Sequence, residues 1–191
     1  MEKQGAKYEL ITGFWKLYEQ KPLEKISIRE LCSVTGYNRS TFYAYYNNIY
    51  ELLDAAVDEL FIPIKNDLLT NHNAKEIFSG NLMKEVFIKH FAAKNSYLEL
   101  IIKRNHIHLL TTRLKDELVK SFMTVANNTK KEEIEFILEY HVSAVFGILG
   151  YWIRNDRNIP EQVLLERVYN ISKEGTFPTM LKQIDGDRNM L

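Results

Sequence analysis

The 191-residue chain has a single cysteine, Cys32, and only four prolines and eight glycines. One cysteine excludes an internal disulfide and a Cys-x-x-Cys metal site and fits a reducing compartment, so we expect Cys32 to be a small packed residue. The first residues lack the apolar run of a signal peptide, and no uncharged stretch approaches the roughly 18 residues of a membrane span. These absences predict a soluble, cytoplasmic protein with no membrane contact.

The chain also lacks the residue constellations of common enzymes. It has no paired carboxylates at helical spacing in an apolar stripe, no Cys/His metal set and no triad order. His106 and His108 are two residues apart, so on a helix they would point to different faces and would not share an ion. His141 lies in an apolar stretch, where a core hydrogen bond or a ligand contact is expected rather than catalysis. We therefore predict no enzymatic activity, no metal site and no cofactor.

Residues 27–46 carry the start and stop signals of two short helices joined by a tight turn. Ser27 and Glu30 have the spacing of a capping box, which predicts a first helix over roughly residues 28–34. Gly36 stands where a left-handed residue ends a helix, and Asn38 is a good cap for a second helix. This order is a helix-turn-helix pattern.

The second of these helices has two different faces. Phe42 and Tyr46, four residues apart, can pack inward. The outward side, where a recognition helix would meet the major groove, carries Arg39, Ser40, Tyr43 and Ala44. Arg39 can donate two hydrogen bonds to a guanine edge, and Thr41 and Tyr45 on the flanks could reach phosphates. The alternative is an ordinary surface helix of an all-α protein, with Phe42 and Tyr46 as core.

The run Gly36-Tyr37-Asn38-Arg39-Ser40-Thr41-Phe42-Tyr43, followed by Tyr45-Tyr46 and Leu52-Leu53, closely resembles the N-terminal signature of the tetracycline-repressor (TetR) family. The match spans about the first 60 residues without a gap. One departure is Ile49, which stands where the family usually has a phosphate-contacting lysine. With the resemblance, the predicted DNA-binding residues are Arg29, Asn38, Arg39, Ser40, Thr41, Tyr43, Ala44 and Tyr45. For Arg29, on the outer side of the first helix of the motif, the alternative is a solvated arginine. The resemblance also implies a homodimer that binds a palindromic operator in double-stranded DNA and responds to a small-molecule or protein effector.

The expected fold is all-α, with about nine helices in two domains. Residues 1–47 would form a three-helix DNA-binding domain, and residues 48–191 a helical ligand-binding and dimerisation domain. Pro63 predicts either a kink or an early stop in the helix that links them. An aromatic-rich middle region could line a ligand cavity or could be well-packed core. The candidate ligand-pocket residues are Phe87, Phe91, Tyr97, Phe122, Tyr140 and His141.

Residues 131–155 predict a helix that is apolar on two faces and therefore needs two partners. One of these faces carries Phe136, Tyr140, Ala144, Gly147 and Tyr151. Gly147 and Gly150 each cost about 1 kcal/mol of helix propensity relative to alanine, which makes sense if another backbone comes close. In proteins that resemble the TetR family, two such helices form a four-helix dimer interface, and residues 146–153 resemble a Firmicute-type branch. The predicted interface residues are Ser143, Gly147, Gly150, Tyr151, Leu164 and Val168.

The balanced charge of the chain is also compatible with a second function. The 25 basic and 25 acidic side chains balance, and the first 50 residues have a surplus of only two positive charges. DNA affinity would then depend on a dimer, helix N-termini and neutral donors as much as on lysines. The leading prediction is a transcriptional regulator, with repression as the family's commonest mode. The alternative is a helical adaptor that has lost DNA binding, which Ile49 and the neutral charge favour slightly.

Overall fold

The computed structural model describes residues 2–70, 96–123 and 131–175, together with His72, Leu82, Glu85, Val86, Lys89 and His90. These residues are helical, without a strand among them, which confirms the all-α prediction. Of the aromatic-rich middle region, residues 75–93 lie largely outside this part. The eight α-helices described are α1 (Glu2–Gln20), α2 (Ile28–Thr35), α3 (Arg39–Tyr43), α4 (Ile49–Leu69), α5 (Ser96–Lys103), α6 (Ile107–Met123), α7 (Lys131–Arg154) and α8 (Glu161–Glu174).

The chain divides into two compact units, which we call the head unit and the body unit. The head unit comprises Met1–Ile64 with Ser96–Leu110, and the body unit comprises Lys65–Asn95 with Thr111–Leu191. Residues 96–110 thus belong to the same unit as the helix-turn-helix, although about 30 residues of sequence separate them from the end of its first segment.

An aromatic core on α1 supports the head unit. Phe14, Trp15 and Tyr18 are buried on α1, and the Phe14 and Tyr18 rings stack with their centroids 5.2 Å apart. The Trp15 ring also stacks on Tyr97 of α5 at a centroid distance of 4.6 Å. On another part of α1, Gly13 lets the side chain of Thr35, the last residue of α2, approach the α1 backbone. This aromatic core joins α5 to α1, and Gly13 sets how closely α2 packs on α1.

The helix-turn-helix forms where its capping residues predict. Ser27 Oγ accepts a hydrogen bond of 3.2 Å from Glu30 N, which caps α2, while the Glu30 carboxylate pairs with Lys21. At the other end of α2, Gly36 has φ 76°, a left-handed conformation that penalises any side chain with a β-carbon. Cys32 is buried in α2, as expected for a packed residue.

The α4 helix continues through Pro63 to Leu69, so the early stop left open by the sequence does not occur. Its N-terminus is capped by Asn48, whose Oδ1 accepts hydrogen bonds from Tyr50 N at 2.9 Å and Glu51 N at 3.0 Å. One side of α4 is buried and carries Leu52, Leu53, Ala56, Val57, Phe61 and Ile64, while Leu60 is half-buried.

In the body unit, α7 buries one side and exposes the other. The buried residues are Ile134, Leu138, Val142, Phe146, Leu149, Gly150, Trp152 and Ile153. Trp152 Nε1 donates a 2.8 Å hydrogen bond to Ile159 O, which fixes the turn that leads into α8. By length and composition alone, α7 could also span a membrane, a test that the core helix of a soluble protein passes as well.

Candidate nucleic-acid interface and exposed apolar face

The short α3 helix depends on a cap made by Asn38. Asn38 Oδ1 accepts hydrogen bonds from Thr41 N at 2.8 Å and from the Thr41 hydroxyl at 3.0 Å. A helix of five residues has few internal hydrogen bonds, so this cap holds a large share of its backbone in place. Because the single proton of the Thr41 hydroxyl is donated to Asn38, Thr41 could donate to a phosphate only by giving up that bond.

The two faces of α3 separate as the sequence predicts. Phe42 and Tyr46 are buried against the rest of the head unit, at 0% and 6% exposure. Arg39, Ser40, Tyr43 and Ala44 are all exposed, and Tyr43 keeps 55% of its surface. We call these four residues the recognition face. They offer the Arg39 guanidinium, the Ser40 hydroxyl, the Tyr43 phenol and the Ala44 methyl group.

The remaining predicted contact residues lie on α2, at the start of α3 and just after α3. Arg29 is exposed on α2, Asn38 is exposed at the start of α3, and Tyr45 is half-buried just after α3. No change of backbone conformation is needed to expose Arg29 or Asn38. Tyr45 offers only part of its surface, so a contact through it would use the edge of the ring or its hydroxyl.

The start of α4 differs from a free helix N-terminus. The Glu51 carboxylate accepts hydrogen bonds from Asn47 N at 2.8 Å and from Asn47 Nδ2 at 2.9 and 3.0 Å. These bonds, the backbone one first, lower the pKa of Glu51, so the carboxylate stays charged. With Ile49 half-buried here and a fixed negative charge two residues later, this turn is poorly suited to hold a phosphate.

The predicted ligand-pocket residues fall in different parts of the chain. Phe87 and Phe91 lie outside the described residues. Tyr97 belongs to the head unit, where it stacks on Trp15, while Phe122, Tyr140 and His141 belong to the body unit. Burial lowers the pKa of His141, so its imidazole is neutral near pH 7.

A groove of about 500 Å³ runs between α7 and α8 in the body unit. Residues predicted for the ligand pocket and residues predicted for the dimer interface both line this groove. Its lining is mostly apolar and consists of Tyr140, His141, Ala144, Val145, Gly147, Ile148, Tyr151, Val168, Ile171, Ser172 and Gly175.

The side of α7 opposite its buried residues is exposed, and we call it the exposed apolar face. It carries Phe136, Tyr140, Ala144, Gly147 and Tyr151. Phe136 is 78% exposed and Tyr140 65%. A β-carbon added at Gly147 would meet nothing within 4 Å, so no described residue of the protomer requires a glycine at this position.

Two residues of the predicted dimer interface are buried within the protomer. Gly150 is buried, and a β-carbon there would come within 2.9 Å of the Arg154 guanidinium. Leu164 is buried at 3% exposure within the single protomer. Helical periodicity indicated apolar positions on both helices, but it could not indicate which of them the protomer covers itself. Ser143 and Tyr151 are exposed and Val168 lines the groove.

Sequence reasoning missed two relationships in the head unit. Gly13 lies against Thr35, and the only local signal is a glycine inside an otherwise good helix. Tyr18 is hydrogen-bonded to His106 across 88 positions of sequence, a pairing for which the sequence gives no signal. Among the described residues, no group of three or more His, Cys, Asp or Glu side chains is arranged to hold a metal ion.

Comparison with known proteins gives one match. Residues 83–174 match a family model described as a transcriptional regulator C-terminal region. No curated protein and no solved structure matches the chain. The match covers most of the described part of the body unit, and it is independent of the helix-turn-helix signature, which lies before residue 83.

Proposed function

We propose that the chain, which the match over residues 83–174 supports as a regulator of the TetR family, binds specific DNA sequences as a homodimer. The operator would be a palindrome in double-stranded DNA, with two recognition helices in successive major grooves about 34 Å apart. Repression is the expected mode because it is the commonest in the family. A cytoplasmic location and the Firmicute-type branch are part of the same proposal.

The recognition face is the observation that carries this proposal. Its four residues are exposed together on α3 and its C-cap Ala44, while Phe42 and Tyr46 are buried. Arg39 supplies bidentate donors for a guanine, and the Ala44 methyl group suits close approach to a thymine methyl. Tyr43 adds a donor and a large contact surface. We assign phosphate or groove contacts to Arg29, Asn38, Ser40, Thr41 and Tyr45.

The exposed apolar face supports the homodimer. Large apolar side chains at this level of exposure are costly in water unless a partner covers them, and a symmetric dimer would use the same face twice. Gly147 lies in the middle of this face, and a β-carbon there would have no close neighbour in the described part of its own protomer, which suits the approach of a second backbone. We propose that Ser143, Gly147, Tyr151 and Val168 lie in this interface.

We further propose that an effector, either a small molecule or a protein, acts through the body unit. By linkage, an effector that lowers DNA affinity must bind less tightly to the DNA-bound form. The groove volume of about 500 Å³ falls within the range of small-molecule sites. Tyr140 and the neutral His141 would supply its polar contacts.

One observation favours a second function, a helical adaptor that has lost DNA binding. The first turn of α4 lacks the family lysine, because Ile49 stands there. The backbone amide of Asn47 donates its hydrogen bond to the Glu51 carboxylate. Both changes remove phosphate-binding capacity from the edge of the recognition face. An adaptor would keep the fold and the dimer but would show no steep salt dependence with duplex DNA.

The deciding experiment is selection of bound duplexes from a randomised DNA pool at low salt. Wild type is compared with Tyr43→Ala and with the matched control Tyr8→Ala, which removes an exposed tyrosine from α1. An inverted repeat enriched by wild type and the control but not by Tyr43→Ala supports the regulator. Equal enrichment by all three would refute the assigned recognition face, and no enrichment in any of them, with or without cell extract as a source of effector, would favour the adaptor.

A further inference from the structure

The contact between Tyr18 and His106 is buried inside the head unit. Tyr18 is 0% exposed, and its hydroxyl oxygen lies 2.5 Å from Nδ1 of His106, in the turn between α5 and α6. Burial raises the pKa of Tyr18 to about 12, so the phenol keeps its proton at any physiological pH. His106 Nδ1 is the partner that the described structure gives to that hydroxyl.

This geometry determines where the proton on the imidazole lies. The phenolic proton of a fully buried tyrosine needs an acceptor, and a ring nitrogen accepts only when it carries no hydrogen. Tyr18 therefore donates to Nδ1, and the neutral His106 ring carries its own proton on Nε2. A proton added to Nδ1 would place two hydrogens between the two atoms and leave the Tyr18 hydroxyl without its acceptor.

Most of the charged or titratable side chains near His106 carry a positive charge or gain one on protonation. The Arg104 guanidinium lies over the Tyr18 ring at 4.9 Å, and its Nη2 donates to the Glu19 carbonyl at 3.5 Å. The His108 ring is centred 6.2 Å from that of His106. Glu24, in the 3₁₀ turn after α1, is the acidic side chain whose charge opposes them.

We infer that the Tyr18–His106 hydrogen bond is an acid-sensitive contact between α1 and residues 96–110. This contact weakens when the imidazole is protonated. The buried hydroxyl loses its acceptor at the same time as a new positive charge appears beside Arg104. This inference is independent of DNA binding and holds for either proposed function. The stacked pair Trp15 and Tyr97 does not titrate in this range, so the loosening begins at the His106 end of the segment.

The direction of the pH effect follows from the pKa of His106. Burial, then His108 and Arg104, lower this pKa in the folded protein, and Glu24 partly opposes them. The folded state thus binds the proton less readily than the unfolded chain, whose ordinary value is 6.5. The stability contributed by the contact is complete above about pH 6.5 and is lost as the pH falls towards the lowered folded value.

Hydrogen exchange of the full chain, read by mass spectrometry from about pH 7.5 to about pH 5.5 and corrected for intrinsic rates, tests the inference. Protection of amides in residues 96–110 should fall severalfold on acidification, while protection in α7 of the same sample stays constant. In His106→Asn the side-chain oxygen can still accept from Tyr18 but does not titrate, so this fall should disappear. The matched control His108→Asn removes an exposed histidine two residues away and should retain it.

Two results would overturn the inference. The first is a fall in protection of the same size in His106→Asn and in wild type, or no fall in wild type. The second needs no variant and so does not depend on a variant's folding: nitrogen-resolved NMR of the histidine rings should show His106 with its proton on Nε2 near neutral pH. A proton on Nδ1 would mean that Tyr18 is not the donor.

Discussion

Gly13 of α1 lies directly against the side chain of Thr35 at the end of α2, and a β-carbon at residue 13 would overlap the Thr35 methyl group. Thr35 cannot easily turn away, because its hydroxyl donates a 2.9 Å hydrogen bond to Leu31 O. We predict that Gly13→Ala destabilises the protein, since overpacking costs about 1–3 kcal/mol and exceeds the roughly 1 kcal/mol gained in helix propensity. Urea denaturation followed by circular dichroism measures the difference.

The matched control is Gly5→Ala in the same helix. A β-carbon at Gly5 meets nothing within 4 Å, so only the propensity term applies and stability should stay equal or rise. If both variants gained stability, the α1–α2 approach would be looser than the structure indicates.

The Asn38 cap can be separated from DNA contact by two substitutions. Asn38→Ala should lower the free energy of unfolding by about 1 kcal/mol, because α3 loses the acceptor for Thr41 N. Asn38→Asp keeps a capping oxygen and should fold normally, yet bind DNA more weakly because it adds a negative charge beside the recognition face. Denaturation and duplex titration on both proteins measure the two effects. An aspartate variant with unchanged DNA affinity would place residue 38 away from the phosphates.

Substitutions in the recognition face should weaken DNA binding without separating the dimer. Arg39→Ala and Tyr43→Ala should each weaken operator binding by about 1–3 kcal/mol, because each removes a base-edge contact. Arg167→Ala is the matched control, since it removes an exposed arginine from α8 in the body unit. Fluorescence anisotropy with a labelled operator gives the affinities, and sedimentation confirms the oligomeric state. Wild-type affinity in either α3 variant would mean that another face of the helix meets DNA.

A large side chain at residue 147 should leave the fold of the protomer intact and disrupt the dimer. Gly147→Leu should leave the protomer folded, since a β-carbon at this exposed position meets none of the described residues within 4 Å. It should separate the dimer because the partner backbone no longer fits. Analytical ultracentrifugation measures the association constant, with Gly147→Ala as the smaller, better tolerated change. A fully dimeric leucine variant would move the interface away from this part of α7.

The parts of the fold that sequence predicted are those decided by neighbouring residues. Caps at Ser27 and Asn38, the left-handed Gly36 and the two faces of α3 depend on residues a few positions apart, so local stereochemistry is enough to predict them. Residues that meet across long separations were not predictable, as Tyr18 and His106 illustrate. The burial of Gly150 and Leu164 within the protomer was not predictable for a related reason, because periodicity marks an apolar position without indicating whether the same chain covers it.

The burial of Cys32 has a practical consequence for measuring motion. Since this is the only thiol in the chain and it is packed in α2, a cysteine introduced at exposed Lys16 would be the preferred site for a thiol-reactive spin label. In a homodimer that single substitution yields one label in each head unit. The distance between the two labels, recorded by pulsed electron resonance with and without candidate effectors, would then show directly whether the heads move apart.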